Sequence, residues 1–303
     1  VMELQLEGVY DDLEAVIFSV PCDTLKCMSQ KWNRPVPAIV FTHPQNRKIA
    51  KDAANVFARE EFNIVKEKLE DILDVHISNK AIKNSIAVYN ENRAACREFS
   101  DVAAEYAAVV TPSDRHAVIK ARWFMEKSRH TALVKELIAA LKAEPAPEFK
   151  GKKIIVTGIQ VEPYDVLDIF QENGFAIVAD DLAQETRNFR QDVPDDDDAL
   201  MALARAWNEF DGCSLATDAN KPKGQMIIDA VKKAGNDDLT AGVFVMAKHL
   251  VDQDPRIGRF QYGDRRHDLF QPACAANNAC LLQGRQLQQV GYGHAHDFTF
   301  FSG

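Results

Sequence analysis

The 303-residue sequence has no apolar run near the roughly 18 residues that a membrane-spanning helix needs. Residues 1–10 lack the basic stretch followed by an apolar stretch that is typical of a secretory signal. With 14 Gly and 12 Pro, the composition is unlike that of collagen-like or low-complexity chains. These absences favour an ordinary globular protein, which we expect to be cytoplasmic, without a membrane partner.

Cysteine and positive charge are also scarce. Six Cys in a chain of this length, without a secretory signal, do not form a disulfide framework, so each is a buried apolar residue, a metal ligand or a nucleophile. Lys and Arg number 36 against 45 Asp and Glu, a net charge of −9. Nucleic-acid binders depend on neutralising phosphates, so this balance argues against a nucleic-acid partner.

Residues 251–303 contain no Glu and no Lys, although the preceding chain is rich in both. The apolar residues of this stretch follow neither the 3.6-residue period of a helix nor the two-residue period of a strand. Three interpretations stay open: a different domain, a disordered tail, or a wrong reading frame. The sequence does not begin with Met either, and we expect it to be part of a longer chain.

The remaining sequence predicts an α/β fold. Continuous apolar runs are typical of buried parallel strands, and periodic stretches are typical of helices. The predicted strands are residues 15–20, 38–42, 153–157, 175–179 and 241–247. The predicted helices are residues 23–32, 50–73, 81–108, one beginning at 113, 131–141, 163–172, 200–210 and 224–234, with Asn79 and Ser113 as N-caps.

These elements divide the chain into four predicted segments. Residues 1–46 form the remnant of a first α/β domain, and residues 47–150 form a helical segment that ends in a Pro-rich linker. Residues 151–250 form a second α/β domain, and residues 251–303 are the anomalous tail. In such doubly wound sheets, ligands bind at the carboxyl ends of the strands.

Cys22 follows the first predicted strand and precedes a helix that carries Lys26. A thiol at a helix start near a cation is in a thiolate-favouring place, which suits a metal ligand or a nucleophile. The alternative is a structural thiol. The spacing to Cys27 is not that of common zinc or iron–sulfur motifs, so these two residues alone do not predict a closed metal site.

Other polar groups follow strands as well. Residues 43–47 are expected at the same edge as Cys22, or in a capped turn. Residues 180–187 suit a polar ligand, or a solvated loop with a local Asp–Arg pair. Thr157-Gly158 offers backbone N–H groups to an anion, without a Gly-rich fingerprint. Cys213 is interpreted as structural or site-facing, and His116 as a capping or packing residue.

Several long segments resemble one enzyme family. The segments are VPCDTLKCMSQKW (20–32), FTHPQNRKIA (41–50), SIAVYNENR (85–93), RHAVIKARWFM (115–125), HTALVKELIA (130–139), DDLAQETR (180–187) and DGCSLATD (211–218). They resemble the smaller, beta subunits of 2-hydroxyacyl-CoA dehydratases, most of all those acting on (R)-2-hydroxyglutaryl-CoA. The likeness extends over about residues 11–247.

The resemblance implies two flavodoxin-like parallel-sheet domains with a long-helix segment between them. It implies a heterodimer with an alpha subunit, an ATP-hydrolysing iron–sulfur activator, and a radical lyase reaction from (R)-2-hydroxyacyl-CoA to 2-enoyl-CoA. It also implies a [4Fe-4S] cluster held by three cysteines. Some family members carry flavin, but the sequence does not reveal a flavin site.

Carried over to this sequence, the resemblance makes Cys22 a cofactor-binding and metal-ligating residue. A second ligand would precede the present chain, and the third position is occupied by Leu250. We therefore expect a truncated chain that diverges after about residue 247. The alternative is a cluster-free structural or binding subunit with the same fold.

Overall fold

The computed structural model describes residues 1–32, 36–162, 164–213 and 218–234, and the backbone strands 240–246, 279–283 and 286–290. The chain divides into two compact units. Unit 1 comprises Val1–Val88 and Asp192–Lys223, and unit 2 comprises Tyr89–Gln191 and Gly224–Gly303. The domain boundaries predicted from the sequence stay a prediction.

Strands and helices both build the fold, with four consecutive helices between its two α/β stretches. The helices are α1 (Met2–Leu6), α2 (Asp23–Lys31), α3 (Lys51–Leu73), α4 (Asn79–Glu105), α5 (Pro112–Ala121), α6 (Lys127–Lys142), α7 (Tyr164–Glu172), α8 (Ala199–Glu209) and α9 (Lys223–Lys233). The strands are β1 (Val16–Ser19), β2 (Ala38–Phe41), β3 (Lys152–Gly158), β4 (Phe175–Leu182), β5 (Thr240–Met246), β6 (Ala279–Gln283) and β7 (Gln286–Val290). The fold class predicted from the sequence, α/β with parallel strands, is confirmed.

Unit 1 contains a two-stranded parallel sheet, in which β1 pairs with β2 from Val16–Ala38 to Ser19–Phe41. The apolar strand residues Phe18 and Ile39 are buried in its core. Helix α3 packs against α8, and its contact face carries alanines that let two helices approach closely. Parallel strands bring both carboxyl ends to one edge, which places the site described below.

Unit 2 contains the larger sheet, with the strand order β4-β3-β5-β6-β7. Strands β3, β4 and β5 are parallel, while β6 and β7 form antiparallel pairs. The centre of β3 is fully buried because Ile154, Ile155 and Val156 have no exposed surface. Strands β6 and β7 fall within residues 251–303, where the sequence predicts no strand.

Two predicted helix caps are wrong. The N-cap of α5 is Thr111, which forms a reciprocal capping box with Asp114. The helix begins earlier in the chain than predicted because Pro112 is well suited to its first position. Ser113 lies inside the helix and donates to Asp168 at 2.7 Å. Asn79 is the first residue of α4, and its Oδ1 accepts from the backbone N–H of Ala199 at the start of α8.

No helix in the described ranges is both long enough and apolar enough to cross a membrane.

Candidate functional site

Cys22 lies just beyond the carboxyl end of β1. It is the N-cap of α2, with extended backbone angles, and its carbonyl accepts from the N–H of Lys26 at 3.1 Å. The Cys22 side chain is half-buried, whereas Cys27, one turn further along α2, is exposed. The local sequence explains this placement, since the Pro21-Cys22 pair ends the extended strand and Asp23 opens the helix.

The segment after β2 lies beside Cys22, as expected for neighbouring parallel strands. The side-chain amide of Gln45 donates to the carbonyl of Pro21 at 3.1 Å, next to Cys22. The imidazole of His43 packs edge-on against the indole of Trp207, with 5.1 Å between ring centroids. Burial, together with the nearby Arg47 guanidinium, lowers the pKa of His43, so its imidazole is neutral at pH 7.

Arg47 and Lys48 bind the end of α8 and the segment after it to this edge through hydrogen bonds and ion pairs. Arg47 is 5% exposed and donates to the carbonyls of Trp207 and Phe210, each at 2.5 Å. Burial lowers the pKa of Arg47, although acidic groups nearby oppose the shift. Lys48 pairs with Asp211 and Asp218, which flank Cys213 in the sequence. The cluster at this strand edge therefore includes residues at and after the end of α8, in addition to the predicted residues that follow β1 and β2.

Several buried polar atoms at this edge have no hydrogen-bond partner among the described residues. They are Ser19 Oγ, His43 Nδ1, Arg47 Nε and Trp207 Nε1. The Arg47 and Trp207 nitrogens can only donate, and leaving such groups unpaired in the interior costs about 1–3 kcal/mol each. A bound acceptor atom, on water or on an anionic group, satisfies donors of this kind.

This donor set fits an iron–sulfur cluster only in part. Unpaired N–H donors suit the sulfur atoms of a cluster, whose potential responds to such hydrogen bonds. However, the described residues contain no group of three His, Cys, Asp or Glu side chains placed to hold a metal ion. Cys22 is the one predicted ligand within them, and Leu250 lies outside the described residues.

Unit 2 has its own polar cluster at the carboxyl ends of β3 and β4, and it corrects one interpretation of residues 180–187. Asp180 and Asp181 lie inside β4 and are buried, so they are not part of a solvated loop. The guanidinium of Arg115, only 3% exposed, contacts both Asp180 and Glu185. The local Asp–Arg pair is present between Asp181 and Arg187, at 2.7 Å.

His116 extends this cluster. Its Nδ1 lies 2.8 Å from Glu185, and its Nε2 lies 3.1 Å from Glu162, which also pairs with Lys120. Burial raises the pKa of Glu185, but Arg115 and His116 outweigh burial and hold it below its usual value. The sequence predicts only capping or packing for His116, although the consecutive Arg115-His116 pair in the first half of α5 was a usable signal for a buried charged cluster.

Glu162 provides a test of this cluster. Burial opposes the shift, but hydrogen bonds from Lys120, Gln184 and His116 hold the pKa of Glu162 below its usual value. A carboxyl with a lowered folded pKa stabilises the fold above its unfolded pKa of about 4.3, and this stabilisation is lost as the pH falls through the folded pKa.

We therefore expect Glu162→Gln to lower the free energy of unfolding by about 1 kcal/mol at pH 7 and by less at pH 3. Urea unfolding at both pH values measures this difference. Glu136→Gln, on the exposed side of α6, is the matched control and should change neither value. An equal loss for Glu162→Gln at both pH values would contradict the assigned ionisation.

The parallel sheets and the polar groups at their carboxyl edges define an α/β protein with its candidate site at the strand ends. Sequence comparison identifies the family. Residues 1–239 match the family described as 2-hydroxyglutaryl-CoA dehydratase, D-component, and the chain belongs to this family. This match ends at residue 239, whereas the resemblance described from the sequence extends to about residue 247.

Three relatives match this chain over most of its length. The beta subunit of lactoyl-CoA dehydratase from Anaerotignum propionicum is 58% identical over 238 residues, which cover 78% of this chain and 63% of that protein. The (R)-phenyllactyl-CoA dehydratase beta subunit from Clostridium sporogenes is 36% identical, with 82% and 65% covered. The (R)-2-hydroxyglutaryl-CoA dehydratase beta subunit from Acidaminococcus fermentans is 37% identical, with 81% and 66% covered.

The present chain thus spans less than two thirds of the length of each of these relatives. This chain is 58% identical to the lactoyl-CoA protein but 37% identical to the 2-hydroxyglutaryl-CoA protein. The resemblance to the family is confirmed, while the preference for the 2-hydroxyglutaryl-CoA branch is not.

Proposed function

We propose that this chain is the beta subunit of a radical 2-hydroxyacyl-CoA dehydratase. It works with an alpha subunit and receives an electron from an ATP-hydrolysing iron–sulfur activator. The observation that carries the proposal is the family match over residues 1–239, together with the position of Cys22 at a strand edge lined by unpaired donors. The two flavodoxin-like domains belong to this proposal.

The chemistry explains why such a subunit needs a redox group. The carbon-3 hydrogen of a 2-hydroxyacyl thioester is not acidic, and general acid–base help of about 10²–10⁴-fold is too small to remove it. A [4Fe-4S] cluster would supply a low-potential electron to the thioester. Cys22 would be one of its thiolate ligands, and Arg47 and Trp207 would donate hydrogen bonds at its edge.

The substrate is best proposed as a short 2-hydroxyacyl-CoA. Identity to the lactoyl-CoA protein favours lactoyl-CoA, and 2-hydroxyglutaryl-CoA is the alternative. A second candidate function is a cluster-free subunit of the same fold, favoured by the single predicted ligand within the described residues. A flavin would be compatible with a flavodoxin-like domain, but no described residue favours one.

Turnover by the assembled enzyme tests this function. The chain is mixed anaerobically with the alpha subunit of the Anaerotignum propionicum enzyme, its activator, ATP and a reductant. We expect lactoyl-CoA to be dehydrated with a kcat/KM at least ~10-fold above that of 2-hydroxyglutaryl-CoA, because one misfit in an acyl pocket costs about 1–3 kcal/mol. A reversed preference would contradict the substrate, and no turnover of either thioester would contradict the function.

A further inference from the structure

Unit 2 contains a buried cation whose charge has no carboxylate partner among the described residues. Arg122 directly follows α5 and is only 5% exposed. Its Nε donates to Oδ1 of Asn92 on α4 at 2.8 Å. The terminal nitrogens Nη1 and Nη2, which carry the other N–H donors, have no acceptor among the described residues. Because burying an unpaired charge is costly, this arrangement favours binding of an anion.

Lys127 places a second cation beside Arg122. Lys127 begins α6, and its ammonium donates to the carbonyl of Arg122 and, at 3.4 Å, to that of Met125. The same ammonium lies 5.2 Å from the ring centroid of Tyr89 on α4, and the guanidinium of Arg93 lies 5.9 Å from that centroid. Cations from α4, the end of α5 and the start of α6 therefore gather in one region of unit 2.

The electrostatics of this region agree with an unbalanced positive charge. Burial lowers the pKa of Arg122, and the groups that oppose the shift are the Cys96 thiol and the Tyr89 phenol rather than a carboxylate. Burial, followed by the charge of Arg122, lowers the pKa of Lys127. The Glu126 carboxylate opposes that second shift, but both of its oxygens already accept backbone N–H groups at the start of α6.

The end of α5 offers a competing explanation for these cations. The carbonyl groups at the C-terminus of a helix attract positive charge, and Lys127 donates to two carbonyls there. This accounts for the ammonium of Lys127. It does not account for Nη1 and Nη2 of Arg122, because the bond that holds this guanidinium goes to Asn92 on another helix.

We propose that Arg122 and Lys127 bind a phosphoryl group. Two phosphoryl oxygens match the parallel N–H groups of a guanidinium, and an ammonium binds a further oxygen as a point charge. A phosphoryl group carries about −1.5 to −2 charges at pH 7, which balances two cations better than a singly charged carboxylate does. Its source is inorganic phosphate or coenzyme A, which carries phosphoryl groups. The inference depends neither on the iron–sulfur cluster nor on the proposed function.

Binding of inorganic phosphate to the full chain tests the site, measured by titration calorimetry at a constant ionic strength of about 0.15 M. We expect Arg122→Lys, which keeps the charge but loses the planar fork, to bind phosphate at least ~10-fold more weakly. Lys127→Gln keeps a donor for the carbonyls of Arg122 and Met125 but loses the charge, and it should weaken binding by a similar factor. Lys135→Gln is the matched control, because Lys135 also lies on α6 but is paired with Glu91 at 2.6 Å. It should stay within about twofold of wild type.

Coenzyme A, titrated in the same way, distinguishes the two sources. If it binds at least ~10-fold more tightly than phosphate and both variants weaken it, the occupant is a phosphoryl group of coenzyme A; otherwise it is inorganic phosphate. Absence of binding of both ligands to the wild-type chain up to about 10 mM would overturn the inference. Phosphate binding that either folded variant leaves within about twofold of wild type would overturn it too. If circular dichroism shows that Arg122→Lys does not fold, Lys127→Gln alone decides.

Discussion

Cys22→Ala is expected to lower the turnover of the assembled dehydratase by at least ~100-fold and to remove most of the iron from this subunit. Replacing even an outer partner of a metal ligand costs 10–100-fold, so loss of a direct ligand should cost no less. Cys22 is the N-cap of α2 at the carboxyl end of β1, its side chain is half-buried, and Gln45 from the segment after β2 donates to the neighbouring Pro21 carbonyl. Iron analysis and turnover are measured on the same preparation.

The matched control is Cys27→Ala. Cys27 lies on the same helix five residues later, and its side chain is exposed. We expect this variant to keep its iron and to retain turnover within about twofold. Equal losses in both variants would show general thiol damage, and full iron in Cys22→Ala would exclude Cys22 as a ligand.

Arg115→Met is expected to lower the free energy of unfolding by about 3–5 kcal/mol. The guanidinium of Arg115 is buried between the carboxylates of Asp180 and Glu185, and it faces both of them. Removing one partner of a buried ionic group leaves uncompensated charge, which is why the loss is large. Urea unfolding followed by circular dichroism measures it.

Two comparisons identify the cause. Arg129→Met removes an exposed cation on α6 and should change stability by less than about 0.5 kcal/mol. The triple variant Arg115→Met, Asp180→Asn, Glu185→Gln removes the buried charges together and should recover much of the loss. If the single variant does not fold, recovery in the triple variant still tests the argument. A loss below 1 kcal/mol in Arg115→Met would contradict it.

Local patterns predicted most of the fold. Apolar runs identified β1, β2, β3 and β5 to within a residue or two. In β3 the reason is burial on both faces, since Ile154, Ile155 and Val156 have no exposed surface. The same rule ended β4 too early, at residue 179, since Asp180 and Asp181 are charged. Their burial depends on Arg115 and Arg187, and a partner 65 residues away leaves no local signal.

The candidate site was predictable in outline only. Residues that directly follow strands, Cys22 and His43, could be assigned to one edge because parallel strands end together. Trp207 and Asp211 come from the end of α8, and only the fold brings them to Arg47 and Lys48. The exposure of Trp123 is hidden for a similar reason, because a tryptophan in a helical pattern is indistinguishable from a core residue until its surroundings are known.

The iron and acid-labile sulfide content of the chain, purified anaerobically in complex with its alpha subunit, tests the central claim most directly. The content of the isolated alpha subunit is subtracted. We predict about four iron and four sulfide per beta chain, lost in Cys22→Ala and kept in Cys27→Ala. A folded complex without iron in the beta chain would contradict the account and support the cluster-free subunit instead.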